Sequence, residues 1–373
     1  MRDGWSETAL GSVLKLSNKK LGPHKEEPEI FAISKYDGVV LAQDYFDRRI
    51  ASKSLDGYKV IGPGDWVYST IHIDEGSIAV NHFPFRGVVS PMYTSMIWNS
   101  HLHDYRFFEF LLKSDGALIR YQENAQGTVN RRRSLSWKAF SEMTFVVPPL
   151  AEQKRIVDVV SSVDAYIDAL QRQVDSARTA RNAVLHELIV LPSKHRKKME
   201  DFVFLKRGHD LPTQSRVDGE FPVIASNGTV GWHNEQIGPI PGVITGRSGT
   251  IGKVVFATGG YWPLNTTLYV TEFMGNDEKF AALTLETMRL EKFAGGSTVP
   301  SLDRKVLRSE LVFAPPIEEQ KRIVEIVSSM DDVIQSTEQA VVDAKNLRSG
   351  LLSDLLSGDH EIPASYDSLL GAA

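Results

Sequence analysis

The 373-residue chain contains no cysteine. Disulfides, and every zinc or iron–sulfur site built on thiolates, are therefore excluded. No apolar run approaches the ~20 residues that a bilayer-spanning helix needs. The first residues, Met1-Arg2-Asp3-Gly4-Trp5-Ser6-Glu7, are too polar for a secretory signal, so the expectation is a cytoplasmic protein without a membrane partner. A surplus of positive charge is missing too: 42 Lys+Arg stand against 47 Asp+Glu, a net charge of −5. A strongly basic domain would have pointed to phosphate binding. Without one, a nucleic-acid role has to rest on other features. The acid is also unevenly placed. Residues 1–147 carry 18 basic and 17 acidic side chains and residues 193–314 carry 15 and 13, whereas residues 315–373 carry 4 and 11.

Familiar catalytic patterns are lacking. No HExxH, no GxSxG elbow and no GxGxxG ahead of a helix occurs. Gly246–Lys253 has the look of a phosphate loop but fails as one. Arg247 stands where its first glycine belongs, and Val254 follows Lys253 where Ser or Thr would bind magnesium. His101-Leu102-His103-Asp104 has no third ligand at helical spacing, so no metal is expected there. The Asn-Pro-Pro-aromatic motif of amino-methyltransferases is missing, because Pro148 and Pro315 follow Val147 and Ala314. The expectation is a recognition or assembly protein with no catalytic residues.

What is present is a repeat. Residues 148–189 and 315–356 align without gaps at an offset of 167, with 18 of 42 positions identical and a dense core PPxxEQKRIVxxVSSxD. Both copies read as long helices. Apolar positions in the first run Ile156, Val160, Val163, Ile167, Leu170, Val174, Ala177, Val184 and Leu188. In the second they run Ile323, Val327, Met330, Ile334, Thr337, Val341, Ala344, Leu351 and Leu355. Steps of four and three make a coiled-coil seam. The one seam position missing from each series is an arginine, Arg181 and Arg348. Each helix opens after a double proline with Glu152 or Glu319 in its first turn, and Pro192 and Gly358 are the expected stops. A 40-residue helix is ~60 Å long and needs a partner along its seam. The other copy is the candidate, and antiparallel pairing would close the chain into a two-fold-like ring. Pairing between chains stays open as the alternative.

Two globular modules fill the intervals. Residues 1–147 hold 11 of the 28 glycines and residues 193–314 hold 14. Short β-rich stretches alternate with turn signals, a short helix follows near His103–Lys113 and Asp277–Phe293, and a strand leads back into each double proline. Ser193–Lys198 reads as a basic linker, either a solvated connector or a phosphate contact. Two like modules on a rod would read two sites at a fixed separation, and DNA is the polymer in which fixed spacing carries information. Arginine can grip guanine and asparagine adenine. The second module offers Lys206, Arg207, Arg216, Asn227, Arg247, Ser248, Lys253 and Asn265 as DNA-binding candidates. The first offers Lys19, Lys20, Lys35, Lys53, Arg86, Arg131, Arg132 and Arg133.

The PPxxEQKRIVxxVSSxD repeat, set twice after two modules, resembles the specificity subunit of type I restriction–modification systems. The second module adds Gly208–Pro212, Phe221–Gly228, Pro241–Gly252 and Gly296–Leu302, which are similar to segments of that family's target recognition domains. The first has Gly64–Ser69 and Gly127–Val129 but no counterpart of the Gly246-Arg247-Ser248-Gly249 turn. The resemblance implies an α+β fold, with two mixed α/β target recognition domains joined by two long antiparallel coiled-coil helices in a pseudo-two-fold internal repeat. Recognition domains would occupy 1–147 and 192–314, spacer helices 148–191 and 315–357, and a tail 358–373. It implies a non-enzymatic subunit that reads a bipartite double-stranded DNA target, one half per domain. Two adenine-methylating modification subunits would dock on the helices and restriction subunits would join them. The chain itself would bind no cofactor; S-adenosylmethionine and ATP would sit on the partners. A separated specificity part of a combined restriction–modification enzyme, and a coiled-coil scaffold with no DNA role, are the alternatives.

Overall fold

A computed structural model of the chain describes residues 4–23, 27–46, 52, 54–126, 133–295 and 300–370. The first stretch runs β1 (Ser6–Ala9), α1 (Leu10–Val13), β2 (Leu14–Ser17), β3 (Phe31–Ser34), β4 (Gly38–Leu41), α2 (Ala42–Tyr45) and β5 (Lys59–Ile61). It continues through β6 (Trp66–Ser69), β7 (Ile78–Val80), β8 (Gly87–Val89), β9 (Tyr93–Trp98), α3 (Tyr105–Leu111), α4 (Asp115–Asn124), α5 (Trp137–Glu142) and β10 (Thr144–Val147). The long helix α6 (Leu150–Leu185) follows. Next come β11 (Arg196–Lys198), β12 (Phe204–Arg207), β13 (Phe221–Ala225), β14 (Gly228–His233), β15 (Gly242–Gly246), β16 (Val254–Ala257), β17 (Trp262–Pro263) and β18 (Thr267–Glu272). After α7 (Glu278–Thr287), β19 (Ala294–Gly295), β20 (Ser301–Leu302), α8 (Arg304–Leu307) and β21 (Leu311–Phe313), the second long helix α9 (Ile317–Ser357) leads to α10 (Asp367–Leu370). No helix among the described residues is long and apolar enough to cross a membrane.

The chain divides into two compact units, Met1–Asp168 with Val342–Ala373, and Ala169–Val341. Each therefore takes one module, part of α6 and part of α9. In the first unit the main sheet is four-stranded and antiparallel, in the order β2-β9-β6-β7. In the second it is β12-β18-β15-β16, also antiparallel. The topology is the same: entry strand, last strand, then the central hairpin. A short antiparallel pair closes each module at its helix, β1 with β10 and β11 with β21. Trp66, Tyr68, Met96, Phe107, Phe108, Tyr121 and Phe140 fill the first core together with Ile156 and Val160 of α6 and Leu355 of α9. In the second, Leu205, Val243, Leu268, Val270 and Phe280 are joined by Leu185 of α6 and Ile323 and Val327 of α9. Because the helices supply core residues to the modules, each module and its helical segments bury apolar surface as one body.

The seam is occupied as its spacing predicts except at the end of α6, where Leu185 and Ile189 are buried and the predicted Val184 and Leu188 are half-buried beside the π-helical turn. Ile156, Val160, Ile167 and Val174 of α6 and Ile323, Val327, Ile334, Val341, Ala344 and Leu355 of α9 are buried. The helices run antiparallel within each unit. In the second unit Arg181 pairs with Asp331 and Arg178 with Glu338 at 2.5 Å, so partners descend α9 as they ascend α6. In the first unit Arg348 pairs with Asp164, the same two repeat positions with the helices exchanged. The seam arginines thus meet the aspartates that end the VSSxD motif. Arg181, with its side chain 14% exposed, also grips Glu286 of α7 through Nη1 at 2.7 Å and Nη2 at 3.2 Å. Burial alone would lower its pKa, but the bonds to Glu286 and Asp331 outweigh that and hold it above the ordinary arginine value. Arg348 instead stacks over Phe110 of α3, 5.7 Å from the ring centre.

A second repeated device fastens each module. Gln153 and Gln320 are 0% and 2% exposed. Gln153 Oε1 accepts from the Asp104 N–H at 2.9 Å, and its Nε2 donates to Pro148 O at 2.8 Å. Gln320 Oε1 accepts from the Asp277 N–H at 2.9 Å, and its Nε2 donates to Pro315 O and Asn276 Oδ1, both at 2.8 Å. Asp104 and Asp277 are the N-caps of α3 and α7. The buried amide of the EQKRIV motif therefore joins the first turn of the spacer helix to the cap of the module helix.

Helix α9 stops at Ser357, where Gly358 takes φ +80°. Helix α6 passes into a π-helical segment, His186–Val190, before Pro192. The stretch expected as a linker is ordered: Arg196–Lys198 form β11, and the Arg196 guanidinium folds back on the carbonyls of Pro192 at 2.9 Å and Val190 at 2.5 Å. It thereby satisfies carbonyls at the helix end, which is a structural use of that basic side chain.

Candidate nucleic-acid interface

In the second module four loops meet at one end of the main sheet. The β15–β16 hairpin closes through residues 247–253. A Cβ on Gly246 would lie 1.8 Å from the Thr250 carbonyl oxygen, so only glycine fits there. Gly249 takes φ +81°. The N–H groups of Arg247 and Ser248 both donate to Thr266 O, at 2.9 and 3.2 Å, and Arg247 O accepts from Leu302 N at 2.8 Å. The backbone of the turn is therefore fixed from two sides. The half-buried Arg247 side chain makes one long contact, Nη1 to Asn265 O at 3.4 Å. Lys253 Nζ donates to Asn227 O at 2.8 Å, which ties this hairpin to the β13–β14 turn.

Arg247 lies on an open cleft that Lys206, Arg207, His209 and Arg304 line together with Asp210, Glu272 and Asp303. Arg207 and Asp210 approach to 3.8 Å, and Asn265 Nδ2 donates to Asp210 Oδ1. Ser248 is half-buried and bridges Ser301. Burial lowers the pKa of His209, and Lys206 lowers it further against the opposing pull of Asp210. His209 is therefore held toward its neutral form, able to donate or accept a hydrogen bond. The structure thus brings Lys206, Arg207, Arg247, Ser248 and Asn265 together, with Asn227 and Lys253 on the adjoining turn. Arg216 Nη1 donates to Val230 O at 2.8 Å, beneath Gly231.

In the first module Lys19 and Arg86 both act on Asp65. Burial raises the pKa of Asp65, while the Gly62 N–H and then the charges of Arg86 and Lys19 pull it down. Lys20 pairs through its backbone with Lys59. Lys35 sits at the β3–β4 turn beside Tyr36, 5.3 Å from the ring centre. Arg133 is half-buried ahead of α5. Lys53, Arg131 and Arg132 lie outside the described residues, as do Gly127–Val129 and Gly296–Val299.

The topology supplies what the sequence lacks in this module. The β6–β7 hairpin is the counterpart of β15–β16, so residues 70–77 occupy the place of the Gly-Arg-Ser-Gly turn. They do so with a short 3-10 turn, Ile73–Glu75, and an αL glycine, Gly76. Lys35 lies near that glycine, with its Cγ 3.9 Å from where a Gly76 Cβ would stand. The β3–β4 turn thus meets the hairpin loop here, as Asn227 meets Lys253 in the second module.

Sequence reasoning did not nominate Arg304, and it took His209 and Asp210 only as part of the Gly208–Pro212 segment. Arg304 donates Nη1 to Leu205 O at 3.1 Å and lies over the Phe204 ring at 5.8 Å. Its place in an Asp303-Arg304-Lys305 helix start carries no signal for that cleft. His103, weighed as a metal ligand, bonds Gln153 Nε2 at 2.9 Å instead. Among the described residues no group of three or more His, Asp or Glu is placed to hold a metal.

Residues 191–343 match the model of the type I restriction modification DNA specificity domain. Across 93% of its length the chain is 22% identical, over 392 residues, to the putative type I restriction enzyme MjaX specificity subunit of Methanocaldococcus jannaschii, covering 89% of that protein. Solved structures share the fold. One is a chain from work on complex assembly and conformational transition of the type I R-M system, with TM-score 0.65 and 17% identity, covering 96% of this chain and 99% of that one. Another is the type I restriction–modification S subunit of M. genitalium, with TM-score 0.55 and 15% identity, covering 94% and 96%. A third is the HsdS subunit of Thermoanaerobacter tengcongensis, with TM-score 0.51 and 16% identity, covering 96% and 98%. Residues 191–343, the second module with the adjoining part of α9, thus match a type I restriction modification DNA specificity domain, and over nearly its whole length the chain is similar to the specificity subunits of type I restriction–modification systems.

Proposed function

We propose that the chain reads a bipartite double-stranded DNA target, one module per half-site, and has no catalytic role of its own. Two modification subunits that methylate adenine from S-adenosylmethionine dock on α6 and α9, and restriction subunits working with ATP complete the system. The observation that carries this reading is the duplicated module. The sheet orders β2-β9-β6-β7 and β12-β18-β15-β16 place a hairpin loop, an entry-strand end and a neighbouring turn in the same relation twice. The DNA-facing groups are proposed to be Lys206, Arg207, Asn227, Arg247, Ser248, Lys253 and Asn265 in one module. In the other they are proposed to be Lys19, Lys20, Lys35, Lys53, Arg86 and Arg131–Arg133. Base edges are read by side chains, while phosphate contacts set position.

The test replaces residues 193–314 with the matching domain of a relative and maps methylated adenines genome-wide in cells that supply the modification subunit. One half of the recognised sequence changes and the other stays. Alteration of both halves would refute a one-module, one-half-site division.

A further inference from the structure

The two repeat copies begin with the same residues but are covered differently. In the first unit, residues 362–367 lie on the start of α6. Arg155 Nη1 donates to Asp367 Oδ2 at 3.0 Å, and the Tyr366 hydroxyl donates to Asp158 Oδ2 at 2.7 Å. Ile362 is buried in the same cluster as Ile156 and Leu355. The Arg155 side chain is 11% exposed. At the matching positions of α9 the face is open. The Arg322 side chain is 73% exposed, Glu325 is exposed and Ile326 is 40% exposed. After Val190 the chain enters β11 at Arg196 and leaves this face of α9 uncovered.

The groups that hold residues 362–367 are nevertheless present twice. Lys154-Arg155 and Lys321-Arg322 are identical and lie off the seam, so helix pairing does not require them. Glu325 stands for Asp158 as acceptor of a hydroxyl, and Ile326 stands for Val159 as an aliphatic floor on the same face. Glu318 and Glu319 hold Lys321 and Arg322 only through exposed pairs at 3.8 Å. Such pairs contribute little and are readily exchanged for an incoming carboxylate.

We propose that this face of α9 is a docking ledge for an acidic, tyrosine-bearing segment of a protein partner, of the chemistry that residues 362–367 supply in cis on α6. The proposal rests on the reading in which modification subunits assemble on the helices, and it names the chemistry of one such contact. Arg322 takes a carboxylate, Glu325 takes a tyrosine hydroxyl, and Ile326 takes an aliphatic side chain.

A fluorescently labelled peptide of residues 359–368, titrated onto the full chain, tests it. The expected result is saturable, salt-sensitive binding at one site per chain. Arg322→Ala weakens it by about tenfold or more, as for loss of a charge-assisted bond, while Arg172→Ala, at an exposed arginine elsewhere on α6, leaves it unchanged. Arg322 is exposed, so its removal leaves the fold intact, which circular dichroism checks. Absence of saturable binding, or binding that responds to Arg155→Ala and not to Arg322→Ala, overturns the ledge. Methylation of a bipartite target by the assembled enzyme is scored separately. A chain that directs methylation but does not take the peptide loses the ledge alone. A chain that takes the peptide through Arg322 but directs no methylation loses the functional reading alone.

Discussion

Arg247 has its backbone fixed by Thr266 and Leu302, while its side chain makes a single 3.4 Å contact. A rigid turn that leaves a planar, five-donor group lightly held suits bidentate reading of a base edge. Arg247→Ala is expected to cost about 1–3 kcal/mol on the cognate site and much less on random DNA; equal losses on both would identify a phosphate contact. Competition binding of the assembled methylase at fixed salt measures the difference. Gln320 presents the opposite case, a side chain wholly committed to structure. Gln320→Ala strands the Asp277 N–H, Pro315 O and Asn276 Oδ1 in a buried site. It should lower unfolding free energy by roughly 1–3 kcal/mol in denaturant titrations, whereas the exposed Gln335→Ala stays within about 0.5 kcal/mol. The glutamine sat in the densest part of the repeat, but its role was not legible there. Its N-cap partners are 49 and 43 residues away in sequence, and only the fold brings them close.

At the scale of elements, the long helices were legible because a coiled-coil seam is a local pattern: one face, steps of four and three, prolines at the start. The two arginines in that pattern looked like defects, and the fold turns each into an ion pair with the aspartate of the opposite copy. The modules were less legible. Their strands are mostly three to six residues long, too short for a period-two pattern to stand out, and they pair across long stretches, β2 with β9 and β12 with β18. The missing counterpart of the Gly-Arg-Ser-Gly turn shows the limit. Residues 70–77 hold the same place between equivalent strands, yet a 3-10 turn ending on Gly76 replaces the glycine-rich sequence. Position in a sheet survives when turn chemistry changes, and only strand order reveals it. The candidate site suffers in the same way. Lys206, Arg207 and Arg247 were nominated singly as surface charges; that they face one cleft with Arg304 and Asp210 depends on four loops meeting.

For the molecule as a whole, the proposed bipartite target makes helix length a functional variable. The seams repeat every seven residues, so a heptad added after Leu170 lengthens α6 by ~10 Å and advances it by nearly two turns. Alone, that insertion throws the seam out of register with α9. A matching heptad after Thr337 restores it. Arg181 still meets Asp331 and Arg348 still meets Asp164, because both pairs lie wholly on one side of the two insertions; the exposed Arg178–Glu338 pair is split. The doubly lengthened chain is therefore expected to assemble with its modification subunits. Three base pairs of B-DNA rise about as far, at ~3.4 Å each. Its preferred DNA should keep both half-sites and widen the gap by about three base pairs, within one for twist. Insertions of three or four residues rotate the apolar face and should weaken assembly instead. Methylation of a library that varies only in spacer length reads the outcome. An assembled, active double-heptad protein that keeps the original spacer would show that the helices do not set the distance.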